Sequence, residues 1–236
     1  MRKQMRKQMR EHMRKHLRKG LHMSLHMNLR MPLRPARGFT LLESLVALAI
    51  LGGILAFGAP RMAAWVSATR AAAASEFYAE GFALARAQAL SHNSASRLVL
   101  SENANGQLDW QVDICFPRPE TPCNDASGSW STAAAPAERD PEGAAGFKSV
   151  LRRADALPGT DVLVQAVDPE EADSVYFTPV GWVDTTMAPR IARIDMWPAA
   201  SHAGAFRSAS VVLTLAGIAA KCRPSAAADD PHRCPP

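Results

Sequence analysis

Glu43 is the one charged side chain in an apolar run that extends from Phe39 to Pro60. An acid held within a membrane costs at least a few kcal/mol unless it is paired or reaches the interface. Glu43 lies five residues into the run, so snorkelling relieves part of that cost. Gly38, directly before the run, offers a second piece of chemistry. Hydrolysis after Gly38 would leave an ammonium group on Phe39, one helical turn from the Glu43 carboxylate. In an assembly, the amine of one subunit can then neutralise Glu43 of its neighbour.

The four cysteines, Cys115, Cys123, Cys222 and Cys234, form the other reactive set, all in the part expected outside the cytoplasm. An even count there suits disulfides. Four cysteines allow three connectivities, and sequence does not choose among them. The local pairs Cys115–Cys123 and Cys222–Cys234 are the expectation, each closing a proline-containing loop that contributes roughly 2–3 kcal/mol on the chain-entropy account. Zinc and free thiols are the alternatives, although the spacings are not C-x-x-C and no histidine sits at ligand spacing from both pairs. No catalytic residue and no cofactor or metal site is expected. After residue 38 the histidines are His92, His202 and His232, none in a catalytic motif. The acids Glu170, Glu171 and Asp173 lack calcium-loop spacing.

These residues need an element to carry them. Phe39 to Pro60 spans about 33 Å as a helix, enough to cross a hydrocarbon core of about 30 Å. Gly52, Gly53 and Gly58 each weaken a helix by up to ~1 kcal/mol relative to alanine, and Pro60 is expected to kink it. Ala49/Gly53 and Gly52/Ala56 are small-xxx-small pairs that permit close helix packing.

Residues 1–38 are basic, with 12 of the 27 lysines and arginines and one of the 22 acids. Residues 39–236 therefore hold 15 basic and 21 acidic side chains, so the basic whole-chain balance is no argument for nucleic acid. The leader repeats Met or Leu every fourth residue from Met1 to Leu33. That period drifts 40° per repeat around a helix and builds no fixed apolar stripe. Met31 offers an internal start with a short basic leader, which keeps its own end cytoplasmic and lacks the apolar region of a secretory signal.

Arg37-Gly38-Phe39-Thr40-Leu41-Leu42-Glu43 and the apolar run after it closely resemble the class III signal of type IV prepilins and type II secretion pseudopilins. The resemblance implies cleavage after Gly38 by prepilin peptidase and N-methylation of Phe39. It also implies pairing of Glu43 with a neighbour's terminal amine during assembly, and a helix kink at Pro60. Further along, the chain is similar to the FimT/GspH-type branch. The similarity rests on Ala85-Arg86-Ala87-Gln88-Ala89-Leu90 leading into Arg97-Leu98-Val99-Leu100, on Tyr176-Phe177-Thr178-Pro179-Val180-Gly181, and on Val211-Val212-Leu213.

After Arg61 the pattern turns amphipathic. Phe77, Gly81 and Leu84 fall in one helical row, and Tyr78, Phe82, Ala85 and Ala89 in the next. One helix from about Phe39 to about His92 is expected, stopping at Asn93-Ser94. Strands are expected at 97–101 and 108–116, joined as a hairpin by Asn105-Gly106. Others are expected at 147–151, 162–167, 174–182, 191–197 and 210–215, with residues 117–146 as a long surface loop. The fold class is α+β, a long N-terminal helix packed on an antiparallel β-sheet domain of pilin type. The domains are a removable leader (1–38), a membrane or filament-core helix (39–60), its amphipathic half (61–92), a periplasmic β-rich domain (93–222) and a mobile or disulfide-tethered tail (223–236).

The functional expectation is a minor pilin or pseudopilin, a structural subunit of a type IV pilus or a type II secretion pseudopilus, acting at initiation or the tip. Its implied partners are prepilin peptidase, other pilins and an inner-membrane assembly platform. It would sit as a single-span inner-membrane protein with the C-terminal domain in the periplasm before joining the filament. The alternative is a DNA-binding minor pilin. Some members of the branch bind DNA through a G-R-x-R-like element after the last strand. Here that stretch is Gly217-Ile218-Ala219-Ala220-Lys221-Cys222-Arg223, with no arginine after the glycine, which argues against nucleic acid as a partner.

Overall fold

The computed structural model describes residues 40–235. The chain divides into two units, Met1–Gly52 and Gly53–Pro236. Helix α1, Leu41–His92, begins in the first and continues in the second. Its backbone is helical through Gly58 and Pro60. In the first unit the described helical residues, Leu41 to Gly52, are all exposed.

In the second unit α1 buries a stripe at Ala71, Ala74, Tyr78, Phe82, Ala85 and Ala89. The spacing of three or four residues keeps these side chains on one face. The helix stops where Asn93 enters the left-handed region, at φ 46°. The Asn93 N–H then donates to the Leu90 carbonyl at 3.4 Å and the Ser94 N–H to that of Ala89 at 3.1 Å. This is a Schellman ending, with asparagine in the position that glycine usually takes.

Eight strands follow: β1 Ala95–Glu102, β2 Leu108–Cys115, β3 Val150–Arg152, β4 Leu163–Asp168, β5 Ser174–Phe177, β6 Arg193–Pro198, β7 Ala209–Leu213 and β8 Ala219–Cys222. The α+β class matches the expectation. Where one sheet was expected there are two, each four-stranded and antiparallel, in the orders β3-β2-β1-β5 and β4-β6-β7-β8. Alternation along a strand says which face is buried, not which strand lies beside it. Both sheets and α1 feed one apolar cluster, in which Phe82, Trp110 and Phe177 meet Leu163, Ile194 and Val211.

The first sheet approaches α1 at Gly81. A Cβ there would stand 2.8 Å from Leu98 Cδ1 and 3.0 Å from Trp110 Cδ2. The absence of a side chain lets the Trp110 indole reach the helix backbone, where Nε1 donates to the Phe77 carbonyl at 2.9 Å. One strand over, Ser96 Oγ donates to the Ala85 carbonyl at 2.6 Å. These two bonds fix the register of sheet on helix, which apolar contact alone does not specify.

The loop expected over 117–146 is less a surface excursion than a cover for the outer face of the first sheet. The Cys115–Cys123 bridge anchors it. Ser131 then pairs with the edge of β2, its N–H donating to the Ile114 carbonyl at 2.9 Å while its Oγ accepts from the Ile114 N–H at 3.0 Å. Underneath, buried Asp113 accepts from Arg97 Nε at 2.9 Å and Gln111 Nε2 at 2.7 Å. The Arg97 guanidinium also stacks 4.2 Å from the Trp130 ring. A carboxylate buried at 1 % exposure is tolerated because both of its oxygens have donors.

The chain has two tyrosines, and the phenol of each is held above its ordinary value. For Tyr78 the cause is burial, added to by the Asp109 charge and opposed by hydrogen bonds to Gln165 and Leu108. For Tyr176 it is burial and then the bond its hydroxyl donates to Asp125, opposed by Arg97. The neutral phenol is the favoured folded form, so this contribution to stability is complete below the ordinary value of 10.0. It is lost as pH rises beyond that toward the folded-state value. In the expected alkaline titration the phenolate absorbance of the folded chain rises at higher pH than that of the unfolded chain, as the direction of both shifts requires. A rise at or below the ordinary value in the folded chain would contradict both environments.

β8 was not expected. Ala219-Ala220-Lys221-Cys222 has no β-branched residue and no apolar alternation, and it pairs because β7 presents a free edge. The tail after it is tied down. Cys222 bridges Cys234, and the Arg223 N–H donates to the His232 carbonyl at 2.7 Å.

Candidate functional site

The start of α1 carries the chemistry that the sequence singles out. Thr40 is the N-cap, its Oγ1 accepting from the Glu43 N–H at 3.2 Å. Its carbonyl accepts from the Ser44 N–H at 3.1 Å. Thr-x-x-Glu is the pattern of a capping box, in which the acid sits at the third helical position. A negative charge in the first turn also meets the positive end of the helix dipole. Glu43 thus has a local reason to be acidic, a role that sequence reading missed although the four-residue pattern announces it. The carboxylate itself is exposed and accepts no hydrogen bond among the described residues. Gly38 and Phe39 lie outside the described residues.

From Leu41 to Ala59 the helix is long and apolar enough to cross a membrane, and none of that stretch is buried. Gly52, Gly53 and Gly58 have open space where a Cβ would stand. Nothing within the described chain requires their smallness, unlike Gly81.

Elsewhere the candidate residues are dispersed. His92 packs against Phe147, His202 contacts Ser201 and the Asp161 carbonyl, and His232 contacts Asp230. Asp195 accepts from Ser210 and pairs with Arg193. Among the described residues no group of three or more His, Cys, Asp or Glu side chains is placed to hold a metal ion. Lys221 is paired with Glu76.

Residues 33–58 match the family described as the prokaryotic N-terminal methylation motif, a span that contains Gly38, Phe39 and Glu43. Residues 73–217, more than half of the chain, match the family described as type II transport protein GspH. The chain belongs to the GspH family. The GspH match takes in the buried half of α1, most of both sheets and the loop over β2, and ends at Gly217, before β8. Together the two matches make the chain a minor pilin or pseudopilin of the type II secretion or type IV pilus kind, associating with other such subunits in a filament. Subunits of this kind are structural, not enzymes. The methylation motif and the one helix among the described residues that is long and apolar enough to cross a membrane fit single-pass anchoring in the inner membrane. No curated protein and no solved structure matches the chain.

Proposed function

We propose that the chain is made as a prepilin, cut after Gly38 by prepilin peptidase and N-methylated at Phe39. It waits in the inner membrane with its C-terminal domain in the periplasm. It then enters a type IV pilus or type II secretion pseudopilus through an inner-membrane assembly platform, at initiation or at the tip. Glu43 pairs with the terminal amine of a neighbour. Pro60 and the unpacked glycines let the apolar helix bend and repack as it leaves the bilayer. The observation that carries this reading is the spacing of Gly38, Phe39 and Glu43 at the head of an apolar helical stretch, Leu41–Ala59, none of which is buried. N-terminal mass analysis tests it, using protein from cells with and without prepilin peptidase. The expected mature chain begins at N-methylated Phe39 only when the peptidase is present, and a chain still beginning earlier would defeat the reading.

DNA binding is the second reading, favoured by a groove of about 550 Å³ whose rim includes Arg207, Arg223 and His232. The Lys221–Glu76 pair removes one cation from that rim. A salt-dependent gel shift separates the readings, since phosphate contacts weaken steeply with added salt.

A further inference from the structure

The apolar stretch of α1 ends at Ala59, and the first described helix residue in the apolar cluster of the second unit is Ala71. Arg61, Met62 and Trp65 lie between the two. All three are exposed, Met62 at 68 % and Trp65 at 67 %. Met62 stands three residues and Arg61 four residues before Trp65, the spacings that make neighbours on a helix surface. The indoles of Trp110 and Trp130 donate to carbonyls inside the domain. Beyond the helix ladder, Trp65 is engaged among the described residues only through its carbonyl, which accepts from Thr69 Oγ1 at 2.9 Å. From Ser44 to Ser75 the charged side chains are Arg61 and Arg70, with no acid.

Depth follows from helix geometry. At 1.5 Å per residue, Arg61 lies about 3 Å beyond Ala59, Met62 about 4.5 Å and Trp65 about 9 Å. The polar layer of a bilayer adds about 5–7 Å on each side of its hydrocarbon core. Helical side chains lean toward the N-terminus over the preceding turn, which brings the Trp65 ring back into that layer. Tryptophan favours this level, where one end of the indole is wet and the other apolar. Arg70 lies about 16 Å beyond Ala59 and half a turn round the helix from Arg61, outside the polar layer.

We propose that Arg61, Met62 and Trp65 form a site for the headgroup of an anionic phospholipid, at the level where α1 leaves the bilayer. The inference rests on single-pass anchoring of α1 and not on the filament reading. Arg61 pairs with the lipid phosphate, the Trp65 N–H donates to phosphate or ester oxygen, and Met62 lies on the top of the acyl chain. Such a site fixes how deep the helix sits. Three observations select a lipid surface as the occupant. The site is continuous with the membrane-length stretch, so the bilayer meets it before any other partner. A single cation beside an aromatic ring and a thioether suits a boundary that is apolar on one side, unlike the several cations that track nucleic-acid phosphates. No acid stands on the helix between the apolar stretch and Glu76 to repel the headgroup.

The test reconstitutes the full chain in vesicles of phosphatidylcholine and phosphatidylglycerol. One lipid or the other is brominated near the top of its acyl chain, at equal mole fraction, and bromine quenches nearby indoles. The Trp65 signal is taken by difference from Trp65→Phe, made in each background. The basic leader is present in every variant and cancels in the comparison. The expected result is quenching of Trp65 that reports about five-fold local enrichment of phosphatidylglycerol, the scale of 1 kcal/mol for one arginine at an anionic surface. Arg61→Gln should abolish the enrichment, and Arg70→Gln should leave it unchanged. A chain that floats with the vesicles but shows no quenching of Trp65 overturns the site and leaves anchoring intact. Equal quenching by the two lipids, or equal loss in Arg61→Gln and Arg70→Gln, does the same. A chain that does not float with the vesicles overturns both.

Discussion

Replacing Gly81 by leucine is expected to lower the thermal midpoint of the chain by on the order of 10 °C. The leucine Cβ alone would stand 2.8 Å from Leu98 Cδ1 and 3.0 Å from the Trp110 ring. The rest of the side chain has no space, because the indole lies directly on the helix backbone. Overpacking of this kind costs typically 1–3 kcal/mol, occasionally more. Moving the indole also breaks its bond to the Phe77 carbonyl, worth about 1 kcal/mol net. At roughly 2–4 °C per kcal/mol for a chain of this size, the shift is readily measured by circular dichroism on the detergent-solubilised protein. Alanine at the same position sets the scale. It gains up to about 1 kcal/mol of helix propensity against a smaller clash, so it should fall well short of the leucine effect. A leucine variant with an unchanged midpoint would show that the sheet does not seat on Gly81.

Glu43→Gln should leave cleavage after Gly38 intact and reduce recovery of the chain in filaments by on the order of a hundred-fold. Glutamine is the informative substitution, because Thr40 caps the backbone N–H of residue 43 and glutamine also suits that position of a capping box. The variant removes the negative charge and its interaction with the helix dipole, worth about 0.3–1 kcal/mol. If Glu43 only starts the helix, assembly should fall no more than a few-fold. If it neutralises a neighbour's amine, the variant leaves an unpaired ammonium in an apolar environment, at about 2.5–3.5 kcal/mol. Immunoblots of sheared filament and membrane fractions measure the ratio. A variant that is cut but assembles at the wild-type level would rule out the pairing role.

Local signals in the sequence proved good guides to individual elements. The end of α1 was readable at Asn93-Ser94 because a left-handed asparagine closes a helix with its own neighbours. The β1–β2 hairpin was readable at Asn105-Gly106 for the same kind of reason, with Gly106 at φ 73°. The buried row Tyr78, Phe82, Ala85 and Ala89 followed from helical periodicity alone. The two disulfides follow the expected local pairs, joining residues 8 and 12 positions apart. The second sheet, β8 and the cover over β2 were not readable, since each depends on which distant strand supplies a neighbour. The two bonds that Arg86 Nε donates, to the Gly181 and Ala216 carbonyls, were equally hidden. Their acceptors lie 95 and 130 residues away, and a lone arginine on an alanine-rich helix carries no mark of them.

By itself, then, the sequence determined the motif that runs from Gly38 and Phe39 to Glu43, which matches the N-terminal methylation family. The cleavage, methylation and pairing proposed there would depend on residues within one or two helical turns, which is why a local pattern can announce them. Only the tertiary structure decided what the far end of the helix offers. The turn at Gly181 follows β5 of the first sheet and the turn at Gly217 joins β7 to β8 of the second, and they meet because both sheets pack on α1, where Arg86 Nε donates to the Gly181 and Ala216 carbonyls. A contact between segments so distant along the chain is set by the packing of two sheets on one helix, which no local pattern encodes.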